Sequence, residues 1–155
     1  MRHWLFKTEP SAYSWERLRR ERRTEWSGVR NFQARNNMKE MRVGDLGFFY
    51  HSSIAEPAIV GIVKVVREAY PDFTAFDPKS EYYDPRSNAD DPTWQMVDVE
   101  YEAEMPRPVT LRELRATPEL AYMPLLKRGQ RLSVQPVTRQ EWETILELAR
   151  KPALI

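Results

Sequence analysis

A segment in the first quarter of the chain combines an aromatic ring with planar hydrogen-bonding side chains. It reads EWSGVRNFQARNNM from residue 25 to residue 38, and it places Trp26 and Ser27 before Gly28 and a run of amides and arginines. Surface helices are usually richer in Glu, Lys and Ala, which have a higher helix propensity than Asn. A flat ring beside such groups is suited to stack on a nucleobase and to hydrogen-bond its edge, and one base stack contributes about 1–3 kcal/mol.

Further aromatic and polar residues stand at the ends of predicted elements and in loops, where binding sites commonly lie. The complete set of candidates for a base-binding pocket is Trp26, Ser27, Asn31, Tyr50, His51, Ser52, Tyr83 and Trp94. The alternative for each aromatic ring is a place in the hydrophobic core. Trp26 is the ring for which charged and polar neighbours favour a site instead.

Positive charge is concentrated in the first third of the chain. Residues 1–42 contain 11 Lys and Arg against 5 Asp and Glu, whereas residues 43–155 contain 13 against 18. A basic face attracts polyanions, among which phosphate backbones are the commonest partners. Lys7, Arg30 and Arg35 are therefore candidates for backbone contacts. The arginines between residues 17 and 23 are equally well explained as a solvated helix end and loop.

Catalytic chemistry has little support in the sequence. The chain has no Cys and only two His residues, which excludes a thiolate and disfavours an imidazole metal site. Ser52 and His51 do not form a nucleophile–base pair, because adjacent strand residues point to opposite faces. The acidic run at 84–91 lacks the central glycine of a calcium loop, and no glycine-rich phosphate loop is present. We expect no catalytic residue, metal or cofactor; the enzymatic alternative is a nucleotide hydrolase with His51 as base.

Length and composition are those of one globular domain. The 155 residues are 41% hydrophobic, which is enough to bury a core. No segment approaches the roughly 20 apolar residues of a membrane span, and the N-terminal apolar stretch is too short for a signal peptide. We expect a single domain over 1–155 that is soluble and cytoplasmic, makes no membrane contact and is monomeric.

Apolar periodicity predicts an α+β domain with five strands of uneven length in a small curled sheet or pseudo-barrel. The predicted strands cover 3–7, the residues after a turn at Gly44 up to 52, 58–70, 96–109 and 131–137. Gly61 indicates a bulge or a close approach by another group, and Pro136 indicates an edge strand.

Capping residues predict the starts of the helices. One helix follows Ser14, a second covers 29–41, and two begin at the capping boxes Thr110 with Glu113 and Thr138 with Glu141. Trp142 belongs to an apolar stripe with helical spacing and is assigned to the core. The segment 71–95 has no periodicity and is long for a passive loop, which favours a functional role.

Seven motifs follow one another along nearly the whole chain, from about Arg2 to Ala149. They are WLFKTEPSAYSW, WSGVRNFQARNNM, GDLGFFYHS, IVGIVKVVREAYPD, YYD, PTWQMVDVEY and RLSVQPV. In this order they resemble the EVE domain, as in the thymocyte nuclear protein family, which belongs to the PUA-like superfamily with the YTH, ASCH and SRA-type domains. The resemblance implies a five-stranded barrel-like sheet with surrounding helices. It also implies a reader of modified bases, with modified cytosine in DNA as the leading ligand.

The resemblance further implies roles for single residues. In YTH domains a Trp-Ser pair contributes a wall of an aromatic cage and a polar contact, and Trp26 and Ser27 match that pair here. Tyr83 and Trp94 are the candidates for the second wall. Two non-enzymatic alternatives stay open, namely an RNA-binding reader of a modified ribonucleotide with the same fold and a protein-interaction module whose aromatic residues are core.

Overall fold

The computed structural model describes residues 1–153, which fold into a mixed α and β domain with six strands and four α-helices. The strands are β1 (His3–Thr8), β2 (Arg23–Glu25), β3 (Leu46–His51), β4 (Ala58–Pro71), β5 (Gln95–Thr110) and β6 (Val134–Val137). The helices are α1 (Trp15–Glu21), α2 (Phe32–Glu40), α3 (Leu111–Arg115) and α4 (Arg139–Ala149). Short 3₁₀ turns cover Phe73–Phe76, Pro118–Leu120 and Pro124–Leu126.

All six strands form one curled sheet in the order β2-β5-β4-β3-β1-β6. The strands β1 and β3 are parallel, and the other neighbours are antiparallel. The α+β class is confirmed, but the expected number of five strands is wrong. The additional strand is β2, whose Arg23 and Glu25 pair with Glu100 and Asp98 of β5. Its three polar residues have no apolar alternation, so the arginine-rich segment was expected to be loop.

The sheet separates two hydrophobic cores because side chains alternate between its faces. In β1, Trp4 and Phe6 enter the first core and Leu5 enters the second. In β3, Phe49 enters the first core, whereas Phe48 and Tyr50 enter the second. Helices α1 and α2 cover the first core, and α3 and α4 cover the second. Trp142 lies in the second core, as predicted.

Local side-chain contacts explain where the helices begin. The Ser14 hydroxyl accepts the N–H of Arg17 at the start of α1, and both predicted capping boxes are present in α3 and α4. Helix α2 begins at Phe32 rather than at residue 29, because the Asn31 side chain caps it by accepting the N–H of Ala34 at 2.9 Å. The segment 26–31, which ends at this cap, is therefore a connection without regular secondary structure and not a first helical turn.

Gly61 confirms the prediction of a close approach inside β4. A Cβ atom at this position would lie 2.1 Å from Cζ2 of Trp15. The pairing register of β4 with β5 also shifts between Ile59 and Gly61. The indole of α1 thus packs directly on the backbone of the sheet, and this contact seats the helix.

The segment 72–94 between β4 and β5, here called the β4–β5 loop, is tied down at both ends. The Asp72 N–H donates to the carbonyl of Trp94 at 3.0 Å, and Asp72 Oδ1 accepts the N–H of Thr74 at 2.8 Å. The Trp94 indole donates to Asp84 Oδ2 at 2.7 Å. These bonds close the loop on itself. The loop lies against the connection 26–31, because Asp72 Oδ2 accepts the N–H of Gly28 at 2.8 Å and the carbonyl of Tyr82 accepts Arg30 Nη2 at 2.8 Å.

Candidate functional site

A cleft of about 650 Å³ opens between the end of β1, helix α1, the connection 26–31 and the β4–β5 loop. Its aromatic lining consists of Tyr13, Trp26 and Tyr82. Its charged lining consists of Lys7, Arg17, Arg30, Arg131, Glu25 and Glu81, and hydroxyl and amide groups come from Thr8, Thr24, Ser27, Asn31 and Ser133. Aromatic and hydrogen-bonding side chains thus converge in one concave space.

Trp26 belongs both to the first core and to the cleft. Its backbone N–H donates to the carbonyl of Val97 at 2.7 Å, which continues the pairing of β2 with β5. The rings of Phe6 and Phe49 meet the indole edge-on, with centroids 5.2 and 5.7 Å away. Tyr13 packs against it at 6.3 Å. The indole is therefore held rigidly by core packing. Trp26 is accordingly only 7% exposed.

Tyr82 forms a second aromatic wall because its ring lies on Gly28. A Cβ atom on Gly28 would lie 2.7 Å from Cζ of Tyr82, and Gly28 also has a φ of +81°, which disfavours other residues. Burial is the main cause that raises the pKa of the Tyr82 hydroxyl above its usual value. Glycine at position 28 thus serves a close approach between the connection and the loop.

Arg30 holds that wall in place. Its Nε and Nη2 donate to the carbonyl of Tyr82 at 3.1 and 2.8 Å, and Nη1 donates to Asp72 and to the carbonyl of Val29. Nη2 also donates to the hydroxyl of Thr74. A guanidinium has five N–H donors, and five such bonds are made here. Arg30 therefore has no free donor for a phosphate of the nucleic-acid backbone, contrary to the expected contact. Its contacts are those of a residue that positions Tyr82.

The cations that remain at the cleft are Lys7 and Arg131. Lys7 Nζ donates to the carbonyl of Gln130 at 3.3 Å, and burial lowers the pKa of its ammonium group. Arg131 is exposed and makes no ion pair within residues 1–153. Arg17, by contrast, is engaged by Glu21 at 3.0 Å and covers the Tyr13 ring.

Three of the candidates on β3 and after it lie outside the cleft lining. Tyr50 is buried in the second core. His51 Nε2 accepts the N–H of Trp15 at 3.2 Å, so its proton is on Nδ1, beside the carbonyl of Thr8. Ser52 uses its N–H for the same carbonyl at 3.0 Å. None of the three lines the cleft, and we do not propose that they contact a ligand.

Two of the remaining candidates line a smaller neighbouring cavity of about 470 Å³, here called the second cavity. Tyr83 and Trp94 line it and do not line the cleft. Arg35 donates to the carbonyl of Thr93 at 3.0 Å and to Asn36 Oδ1 at 2.8 Å. Asn31 lines the cleft, but its side-chain oxygen is used as the cap of α2.

Sequence reasoning missed Tyr13, Tyr82, Arg131 and Ser133 as parts of the cleft. Tyr82 is in the segment EYYD, and the neighbouring tyrosine was chosen because an aperiodic loop gives no indication of side-chain direction. Residues 131 and 133 reach the cleft through the pairing of β6 with β1, a contact between distant parts of the sequence. The only available signals were the aromatic character of Tyr13 and Tyr82 and the positive charge of Arg131, and Ser133 gave none.

The described residues contain neither a metal cluster nor a transmembrane helix. Within residues 1–153, no group of three or more His, Asp and Glu side chains could hold a metal ion. In the same part of the chain, no helix is both long and apolar enough to cross a bilayer.

Solved structures with a similar fold define the class of the domain. Human thymocyte nuclear protein 1, solved in complex with DNA containing 5-methylcytosine, has a TM-score of 0.93 and 40% identity, covering 99% of this chain and 100% of that chain. The YTH domain of a Zygosaccharomyces rouxii protein, solved with N6-methyladenosine RNA, has a TM-score of 0.55 and 14% identity over 99% and 87% of the two chains. The second similarity concerns the fold alone. The domain is PUA-like.

The family follows from the sequence match. The EVE domain model matches residues 2–148. Thymocyte nuclear protein 1 from Homo sapiens is 42% identical over 96% of this chain and 74% of its own length. The chain belongs to the EVE domain family, and the resemblance seen in its motifs is confirmed.

Proposed function

We propose that this EVE domain is a non-catalytic nucleic-acid binding module that accepts a flipped modified cytosine, 5-methylcytosine in DNA, in the cleft. The observation that carries the proposal is the rigid Trp26 wall beside hydrogen-bonding groups in a cleft of about 650 Å³. Small-molecule sites commonly have volumes of about 300–1,000 Å³, which accommodates one nucleotide. The complex of the human relative with DNA containing 5-methylcytosine supports the choice of ligand.

Stacking supplies the first part of the binding energy. Flipping a base out of a duplex costs a few kcal/mol of lost pairing and stacking, and an aromatic wall recovers about 1–3 kcal/mol per base. Trp26 and Tyr82 are both immobilised before binding, the first by Phe6 and Phe49 and the second by Gly28 and Arg30. Because these rings are preorganised, little side-chain entropy is lost when the base enters.

Hydrogen bonds to the base edge supply orientation. Ser27 offers a hydroxyl that can donate or accept. Within residues 1–153, the side-chain nitrogen of Asn31 makes no hydrogen bond, so its two N–H groups are available to ring acceptors. The Glu81 carboxylate can accept the exocyclic amine that distinguishes cytosine from thymine. We propose Trp26, Ser27, Asn31, Glu81 and Tyr82 as the pocket.

The methyl group itself adds modest selectivity. One methyl group buried against apolar surface contributes about 0.8 kcal/mol. We therefore expect the protein to prefer 5-methylcytosine over cytosine by several-fold. A cytosine modification that also forms a hydrogen bond would be preferred more strongly.

The experiment measures the affinity of the purified protein for two DNA oligonucleotides that differ only in whether one cytosine is methylated. RNA oligonucleotides of the same sequence are measured in the same way. Tyr82→Ala should lower affinity for the methylated DNA by about 1–3 kcal/mol, the value of one base stack. Phe73→Ala is the matched control, because Phe73 is an exposed ring in the same loop that does not line the cleft.

Variants of Trp26 test the wall directly. Trp26→Ala removes a core side chain and should reduce the free energy of unfolding by about 3–5 kcal/mol, so its folding must be verified. Trp26→Phe keeps a ring and should retain the fold while reducing discrimination. If folded Trp26→Phe and Tyr82→Ala both discriminated as the parent does, the pocket assignment would be wrong. Tighter binding of the RNA oligonucleotides would support the RNA reader instead.

The absence of catalysis is testable with the same oligonucleotides. Incubation with magnesium or manganese should leave them intact, because no nucleophile–base pair lines the cleft. Sustained cleavage by the pure protein that His51→Ala abolishes would contradict this expectation.

A further inference from the structure

We infer that the second cavity binds a second unpaired nucleobase, the neighbour in the same strand of the base in the cleft. This inference rests on the proposed function and adds a site that extends the binding surface. The cavity of about 470 Å³ is lined by Phe32, Tyr83 and Trp94 together with Tyr82, Arg30 and Arg86. Its aromatic content is high and its rings are unusually exposed, with Phe32 at 60% and Tyr83 at 42%.

Phe32 is an exposed ring that is nevertheless held in position. It stacks on Trp94 with a centroid distance of 5.0 Å and an interplanar angle of 25°. Trp94 is in turn buried and fixed by its hydrogen bond to Asp84. The guanidinium of Arg35 lies 5.0 Å from the Phe32 ring centroid. As the first residue of α2, Phe32 also has a backbone position that the Asn31 cap defines.

Phe32 presents an exposed ring whose orientation is fixed by its stack on Trp94. Phe32 lies outside both hydrophobic cores. Because the Phe32 side chain is already ordered in the free protein, little side-chain entropy is lost when a base stacks on it. Because every nucleobase has a π face, such a platform tolerates any base and contributes affinity without sequence preference.

The second cavity lies next to the cleft, and this position favours a neighbouring nucleobase as its occupant. The cleft and the second cavity share Arg30, Glu81 and Tyr82 in their linings, so the Tyr82 segment is the partition between them. A strand that places one base in the cleft must pass its next nucleotide over this partition. Arg86 at the far side is exposed and can contact the phosphate of that nucleotide.

Two acidic residues, Glu81 and Asp84, line the second cavity, and their negative charge would repel a nucleotide phosphate. Their hydrogen-bond partners differ. Asp84 is occupied by the Trp94 indole and by the N–H of Arg86, and these bonds lower the pKa of its carboxyl group. Both of its carboxylate oxygens therefore already accept a hydrogen bond from the protein. Glu81 faces the shared partition, where the proposed function gives it the cytosine amine to bind.

The test is a cycle of protein variants and abasic oligonucleotides. Affinity is measured for a single-stranded DNA with one 5-methylcytosine and for the same DNA with an abasic site at its 5′ neighbour, its 3′ neighbour or both. Phe32→Ala should weaken binding of the complete DNA by about fivefold or more, as expected for one lost stack. It should have little further effect once the neighbouring base that contacts Phe32 is absent. Phe32→Tyr should behave as the parent, and Phe73→Ala should change nothing.

The outcomes distinguish failure of the second nucleobase site from failure of the proposed function of the cleft. Equal loss with and without both neighbouring bases, or no loss on Phe32→Ala, would overturn the second nucleobase site. Equal affinity of the parent for plain and methylated cytosine, with the Phe32 coupling intact, would overturn the choice of ligand in the cleft and leave the second site standing. Failure of the parent to bind any of the oligonucleotides would overturn both.

Discussion

Arg30 Nη1 lies 3.0 Å from Asp72 Oδ2, and the Asp72 side chain is completely buried. The same carboxylate oxygen accepts the N–H of Gly28 at 2.8 Å. Residues 28 and 30 belong to the connection that carries Trp26, and Asp72 begins the loop that carries Tyr82. One ion pair, whose carboxylate is fully buried and whose guanidinium is partly exposed, therefore sets the relative position of the two aromatic walls.

Asp72→Ala should destabilise the protein strongly. Removing one member of a buried ion pair leaves the other charge uncompensated and typically costs about 3–5 kcal/mol. Urea unfolding of the purified variant measures this loss. Glu143→Ala is the control, because its pair with Arg139 is largely exposed and should contribute little. Similar midpoints for the two variants would contradict the anchoring role of Asp72.

Gly28→Ala should weaken ligand binding more than Gly44→Ala does. Both glycines have a positive φ, +81° and +97°, so each substitution adds backbone strain of about 1–2 kcal/mol. Only at Gly28 does the new methyl group also collide with the Tyr82 ring, since Gly44 has no other group within 4 Å. The two variants should therefore lose comparable backbone stability, while Gly28→Ala alone should lose affinity for methylated DNA. Equal affinities would show that Tyr82 is not positioned by Gly28.

Stability should fall as the pH is lowered from about 6.5. Burial lowers the pKa of His51 from 6.5, and burial also lowers that of His3. The unfolded chain then binds more protons than the folded protein, so stability is complete above pH 6.5 and decreases toward the folded-state pKa values. Glu104, whose pKa is lowered to about 2 chiefly by Arg19, affects stability only below pH 4.5.

Chemical denaturation between pH 5 and 7.5 measures this dependence. His51→Gln retains an acceptor for the Trp15 N–H and should flatten the slope, while His3→Gln gives the share of the other histidine. An unchanged slope in both variants would assign the effect to other groups.

Salt dependence distinguishes Lys7 and Arg131 from Arg30. If Lys7 and Arg131 contact phosphates, Lys7→Gln and Arg131→Gln should each reduce the slope of log affinity against log salt by roughly 0.7–0.9. Arg30→Gln should reduce stability but leave the slope unchanged, because its donors are used within the protein. Arg139→Gln on α4 is the control for an exposed arginine outside the cleft. A reduced slope for Arg30→Gln would restore its direct role.

The parts of the fold that depend on near neighbours in sequence were predictable. The caps at Ser14, Thr110 and Thr138 each bond a backbone N–H three residues later. The alternation of apolar and polar residues in β5 can be read from its own sequence. The three polar residues of β2 were not predictable, because that strand exists only through its pairing with β5, about 75 residues later. Pairing across such a distance leaves no local pattern.

The same distinction applies to the candidate site. Trp26 and Ser27 were indicated by their flanking residues, and both line the cleft. The role of Arg30 depends on Asp72, which is 42 positions away, and the choice between two adjacent tyrosines depends on how the β4–β5 loop folds. Tyr50 and His51 looked equally suitable because a strand end gives no indication of which layer covers it.

The separation of the two cores by the sheet has a practical consequence. The cleft adjoins the first core, whereas Tyr122 lies between Leu120 and Met123 of the second and is 90% exposed. A cysteine introduced at Tyr122 would be the single thiol of a chain that naturally has none. Coupling through that thiol would attach the domain to a bead or a fluorophore from the side of the second core, which would leave the cleft accessible for measurements with oligonucleotides.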